Sequence, residues 1–95
     1  MSTYEEWPLE FVRIVEKIRQ PLLSAGFRFD YEELFEQLGI AVLVLKHKVP
    51  TSKTNLLGLA IYDRLARIPY KKRKELIRRL SRFYVRIIRS RDAQV

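Results

Sequence analysis

Between positions 76 and 88 the apolar residues recur one helical turn apart: Leu76, Ile77, Leu80, Phe83, Tyr84, Ile87 and Ile88. Lys72, Glu75, Arg78, Arg79, Arg82, Arg86 and Arg89 fill the opposite side. This pattern predicts an amphipathic helix over residues 70–90, roughly 30 Å long at 1.5 Å rise per residue. A helix with one apolar stripe must bury it against other elements, so the chain is committed to a core built around this segment.

The other segments read as helices too. Trp7, Phe11, Ile14, Val15 and Ile18 follow at helical spacing before Pro21. Thr3 and Glu6 have capping-box spacing, but Pro8 favours a start nearer Trp7. The helix either ends at about residue 19 or 20, before Pro21, or continues past a kink through the stretch Leu22 to Gly26, with Gly26 as its stop. Asp30 and Glu33 form a second capping box, with Phe29 and Leu34 placed as a hydrophobic staple. The helix that follows carries Leu34, Phe35, Leu38, Val42, Leu45 and Val49 on one face, and Ile40, Leu43 and Val44 on the others. An all-round apolar helix is expected at the centre of a fold. The rival reading is a strand over residues 40–46 after Gly39, but a lone strand has no partner. After a loop at Pro50, Thr51, Ser52, Lys53 and Thr54, a third helix is expected over residues 55–67, ended by Pro69. The expectation is an all-α, compact bundle of four to five helices with a long basic C-terminal helix, forming a single helical domain over residues 1–95.

Composition bounds the class. A content of 47% hydrophobic and 32% charged residues belongs to a folded domain and not to a disordered one. Cysteine is absent, which removes disulfides and thiolate metal sites. The longest apolar run, eight residues from position 38 to 45, is far short of a membrane span. The acidic start argues against a signal or transit peptide, so the expected location is cytoplasmic. Abundant Lys, Arg and Glu with few amides lean toward a thermophile.

Charge divides the chain by position. Residues 1–45 hold eight acids against four Lys/Arg; residues 46–95 hold fifteen Lys/Arg against three acids, and the total is +8. Positive charge concentrated in one half makes a directed field whose usual target is a polyanion. The sharpest part is the last helix. Arg78, Arg82, Arg86 and Arg89 share a face at spacings of four, four and three, while Lys71, Lys72, Arg73 and Lys74 crowd the first turn. Four cations at a helix N-terminus oppose its dipole and repel one another, so folding alone would place acids there. A phosphate backbone would relieve that repulsion, and the arginine fork suits phosphate. The candidate nucleic-acid-binding residues are therefore Lys71, Lys72, Arg73, Lys74, Arg78, Arg79, Arg82, Arg86 and Arg89. The bland alternative is a solvated, arginine-rich helix face. Tyr62, Tyr70, Phe83 and Tyr84 lie among these bases; Phe83 and Tyr84 fall on the apolar face and read as core, whereas Tyr70 is expected to be exposed.

Catalytic chemistry finds little support. His47, the only histidine, sits between Lys46 and Lys48 with no serine, cysteine or acid arranged to form a set with it. Glu32 and Glu33 occupy a first helical turn, where acids favour the dipole. Asp63 has Arg67 one turn on, a salt-bridge spacing. The three glycines are scattered, so there is no phosphate-cradling loop, and no metal-ligand spacing occurs. No enzyme activity, cofactor or metal is expected.

In size, helical pattern and charge layout the chain resembles the small subunits of class 1 CRISPR effector complexes, the archaeal type in particular. The stretch Ile61-Tyr62-Asp63-Arg64-Leu65-Ala66 followed by the basic helix is similar to that family's character. The resemblance implies a short, all-helical, non-catalytic subunit that stacks in copies along a ribonucleoprotein complex and contacts target or guide strand. The basic residues at 71–74, with Arg78, Arg82, Arg86 and Arg89, would then touch the strand, and the acidic half would meet neighbouring subunits. The expected partners are a nucleic-acid backbone, DNA or RNA, and protein subunits including copies of itself, with no membrane. Two alternatives stand beside it. One is a helix-turn-helix DNA-binding protein formed by the last two helices around Pro69. The other is a charged helical module for protein interaction or self-assembly.

Overall fold

The computed structural model describes residues 6–48 and 52–93. Four helices follow in order: α1 (Leu9–Ser24), α2 (Tyr31–His47), α3 (Leu56–Ala66) and α4 (Tyr70–Ala93). No strand occurs among the described residues, so positions 40–46 are helical. The helices form one compact globule with a radius of gyration of 13.0 Å.

Local chemistry sets each boundary. α1 starts after Pro8, whose extended backbone leads into the first turn. It runs through Pro21 to Ser24 as one helix, because Leu22, fully buried, holds the last turn to the core. It then closes in a Schellman motif. Phe27 N–H donates to the Leu22 carbonyl at 3.1 Å, Gly26 N–H to that of Leu23 at 3.0 Å, and Gly26 takes φ +94°, open to glycine at no steric cost. The Asp30 side chain accepts from Glu33 N–H at 2.8 Å and starts α2. Only that half of the expected capping box forms, since the Glu33 carboxylate accepts from Asn55 Nδ2 instead. Asn55 in turn caps α3 by accepting from Gly58 N–H at 3.0 Å.

α2 packs against both α3 and α4. Against α3 the link is polar: the buried Gln37 amide accepts from Asn55 N–H at 3.2 Å and donates to the Lys53 carbonyl at 3.4 Å. Gly58 permits this approach, because a Cβ there would lie 2.2 Å from Gln37 Oε1. Against α4 the link is aromatic. The Tyr84 hydroxyl donates to the Phe35 carbonyl, and its ring passes so close to Gly39 that a Cβ would sit 2.8 Å from Cε1. Burial, the largest influence, pushes the Tyr84 hydroxyl well above its usual pKa. α1 joins through the same cluster: Phe11 lies edge-on to Tyr84 at 5.5 Å, and Trp7 stacks on Phe35 at 5.6 Å.

Two expectations about the core need correction. α2 is central but not enclosed, since Leu43 is 57% exposed. Ile88, expected in the buried stripe of α4, is 47% exposed. Together with Val85 they line an open apolar groove of 450 Å³ between α2 and α4. Four helices in so short a chain are too few to cover a central helix on every side.

Candidate nucleic-acid interface

The buried stripe of α4, consisting of Ile77, Leu80, Tyr84 and Ile87, fixes which way its arginines point. Arg82, Arg86 and Arg89 project from the outer side and are exposed. No acid among the described residues pairs with any of the three. Lys46, at the end of α2, joins them: it lines a shallow groove of 510 Å³ with Arg78, Arg82, Arg86 and Arg89. The result is a ridge of like charge gathered from two helices.

The remaining candidates divide differently. Lys71, Lys72 and Lys74 are exposed on the first turn of α4. Arg73 turns back from that cluster. Its guanidinium donates to the carbonyls of Ala66 at 2.9 Å and Ile68 at 3.1 Å, capping the end of α3, where a cation is favourable to the helix dipole. Arg79 pairs with Glu10 across to α1. Arg78 is exposed and bonds Glu75 through Nε at 3.0 Å. That bond is the main cause of a Glu75 carboxyl held below its ordinary value and an Arg78 guanidinium raised above its own. Thus seven of the nine, all but Arg73 and Arg79, present their charge outward without being drawn into another helix.

A second groove, of 830 Å³, opens where the end of α2 meets α3 and the start of α4. Val44, Leu45 and Ile77 give it apolar walls; Lys46, Lys48, Lys74 and Arg78 supply cations; Tyr62, Tyr70 and Arg73 complete it. Tyr70 is 66% exposed, as its sequence position predicts, and Tyr62 is 38% exposed. Arg73 lies over the Tyr70 ring at 5.6 Å from its centroid. His47 is exposed and outside this groove. Among the described residues no cluster of His, Asp or Glu could hold a metal ion, and no helix is long and apolar enough to cross a membrane.

Sequence reasoning did not assign Lys46 and Lys48 to this surface. They follow the last apolar turn of α2 and read locally as C-terminal cations. Arg91 was also missed. It reaches Glu6 at 3.5 Å and Glu32 at 3.3 Å, and lies 4.4 Å over the Phe35 ring. The signal was present: Tyr84, Ile87 and Arg91 continue one face at helical spacing, and α4 extends past Ser90 to Ala93.

No family model matches the chain, and no curated protein or solved structure matches it either.

Proposed function

We propose that the protein binds a nucleic-acid backbone, without reading base sequence and without catalysis, as a small subunit of a ribonucleoprotein assembly. The observation that carries this reading is the line of Arg82, Arg86 and Arg89, exposed, in no salt bridge among the described residues, and joined by Lys46. Like charges held side by side repel, and a chain of phosphates at their surface offsets that repulsion while releasing counterions. Membership of a CRISPR effector complex is the particular assembly that the resemblance in size and charge suggests.

The two alternatives are less favoured by the geometry. A recognition helix reads base edges with mixed donors and acceptors, whereas the outer face of α4 offers mainly arginine and lysine. Self-assembly of acidic on basic faces needs free acids, and most of those of the first half are engaged: Glu10 is held by Arg79, Glu6 and Glu32 by Arg91, and Glu16 by Arg19, which leaves Glu33 and Glu36 exposed and outside any salt bridge among the described residues. The test is a titration of the full chain against single- and double-stranded DNA and RNA at several salt concentrations. Binding should weaken with salt to a similar degree for every sequence. The R82A/R86A/R89A variant should flatten the log–log salt dependence by about 2 for a single strand, at roughly 0.7 per phosphate. No binding at low salt would refute the reading.

A further inference from the structure

We propose that the groove between the end of α2, α3 and the start of α4 is a stacking site for an unpaired nucleobase, so that the ligand is a single strand. This rests on the backbone-binding reading above and adds to it a surface that touches bases. The large aromatics Trp7, Phe11, Phe35 and Tyr84 are buried in the core, where they contribute to folding. Tyr62 and Tyr70 are instead exposed, on different helices, and line the same concavity. Apolar walls beside two phenol rings suit the faces of a base, which every base presents whatever its sequence.

Tyr70 is also held in place. Arg73 is anchored by the Ala66 and Ile68 carbonyls, and its guanidinium covers the Tyr70 ring. A ring fixed before the ligand arrives loses little freedom on stacking. Lys48 and Lys74 stand at the groove to meet phosphates on either side of an inserted base. Lys46 and Arg78 line both this groove and the arginine ridge, so a strand lying on the ridge continues into the groove without leaving positive charge. A duplex keeps its base faces stacked on one another and would meet only the cations.

The experiment uses the full chain with four ligands of one length. These are a DNA strand carrying 2-aminopurine, the RNA strand of the same sequence, an abasic strand with the same phosphates, and a duplex. The proteins are wild type, Tyr70→Ala, Tyr70→Phe and the R82A/R86A/R89A variant. Tyr70 is exposed, so its replacement leaves the fold intact, which thermal unfolding verifies. Wild type should bind an intact strand at least about fivefold tighter than the abasic strand or the duplex, and should change the 2-aminopurine emission. Tyr70→Ala should remove that advantage with an unchanged salt slope, and Tyr70→Phe should restore it. Tighter binding to DNA or to RNA supports the proposal in either case and identifies the sugar. Equal affinity for intact strand, abasic strand and duplex would overturn the stacking site. So would an unaffected Tyr70→Ala variant. In both cases the backbone reading survives if R82A/R86A/R89A still weakens every ligand; if no ligand binds at low salt, both readings fall.

Discussion

Two sets of arginines on the same helix have opposite fates. Arg73, Arg79 and Arg91 reach back into the fold: one caps α3, one pairs with Glu10, and one joins Glu6, Glu32 and the Phe35 ring. Arg82, Arg86 and Arg89 form no salt bridge among the described residues, although Arg82 and Arg86 share a hollow with Glu10 and Glu75 and the charge of Arg82 helps to hold the Glu75 carboxyl low. Side-chain type is the same and helix is the same, so the difference lies in place: Arg73 and Arg91 lie on the side of the buried stripe, whereas Arg79, seven residues before Arg86 and on the same face, differs from it in its position along the axis, level with Glu10. Arg73 finds the carbonyls at the end of α3, Arg79 and Arg91 find carboxylates, and the exposed three make no salt bridge among the described residues. Charge in a sequence therefore does not say whether it is spent on stability or left for a partner.

The comparison is broken most severely through the stripe itself. Leu80 is fully buried, and Leu80→Ala should cost about 2–5 kcal/mol, read from denaturant midpoints. Arg82→Ala, two positions on, should stay within about 0.5 kcal/mol. Similar costs for the two would mean that α4 is not oriented as described.

Within the arginines, Arg91→Ala should destabilise by about 1–2 kcal/mol. It loses charged contacts to two carboxylates and its place over Phe35, although at 26% side-chain exposure solvent screens part of the loss. Arg89→Ala should leave the unfolding midpoint where it is and weaken nucleic-acid binding. An Arg91→Ala variant as stable as Arg89→Ala would remove the distinction between the two sets.

The smallest effect concerns Tyr84, which places α4 on α2. At neutral pH, Tyr84→Phe should cost about 0.5–1.5 kcal/mol for the lost bond to the Phe35 carbonyl. Burial raises the hydroxyl pKa in the folded state, so its stabilising share is complete below the ordinary value of 10.0 and is lost as pH rises beyond it. Stability curves of wild type and Tyr84→Phe should accordingly converge above pH 10.0. Parallel curves through that range would place the hydroxyl in water.

Much of the architecture was legible beforehand because it is local. The stop at Gly26, the cap at Asp30 and the break at Pro69 each depend on neighbours a few residues away. The passage of α1 through Pro21 could be read only as one of two possibilities, and the burial of Leu22 in the core decided it. The outward turn of Leu43 and Ile88 was not legible, because periodicity shows that a residue is apolar without showing whether a fourth or fifth helix exists to cover it. For the candidate interface, the arginine spacing and the exposure of Tyr70 could be read directly. The groove that adds Lys46, Lys48 and Tyr62 could not.

The sequence by itself determined an all-helical fold of four to five helices, several of their ends and a surplus of positive charge in the second half, because helical period and capping act over one or two turns. Only the tertiary structure decided which charges are neutralised and which tyrosines share a groove. Those outcomes join residues as far apart as Glu10 with Arg79, Glu32 with Arg91 and Lys48 with Tyr70, and such pairs are set by how helices pack, a relation that no local spacing encodes.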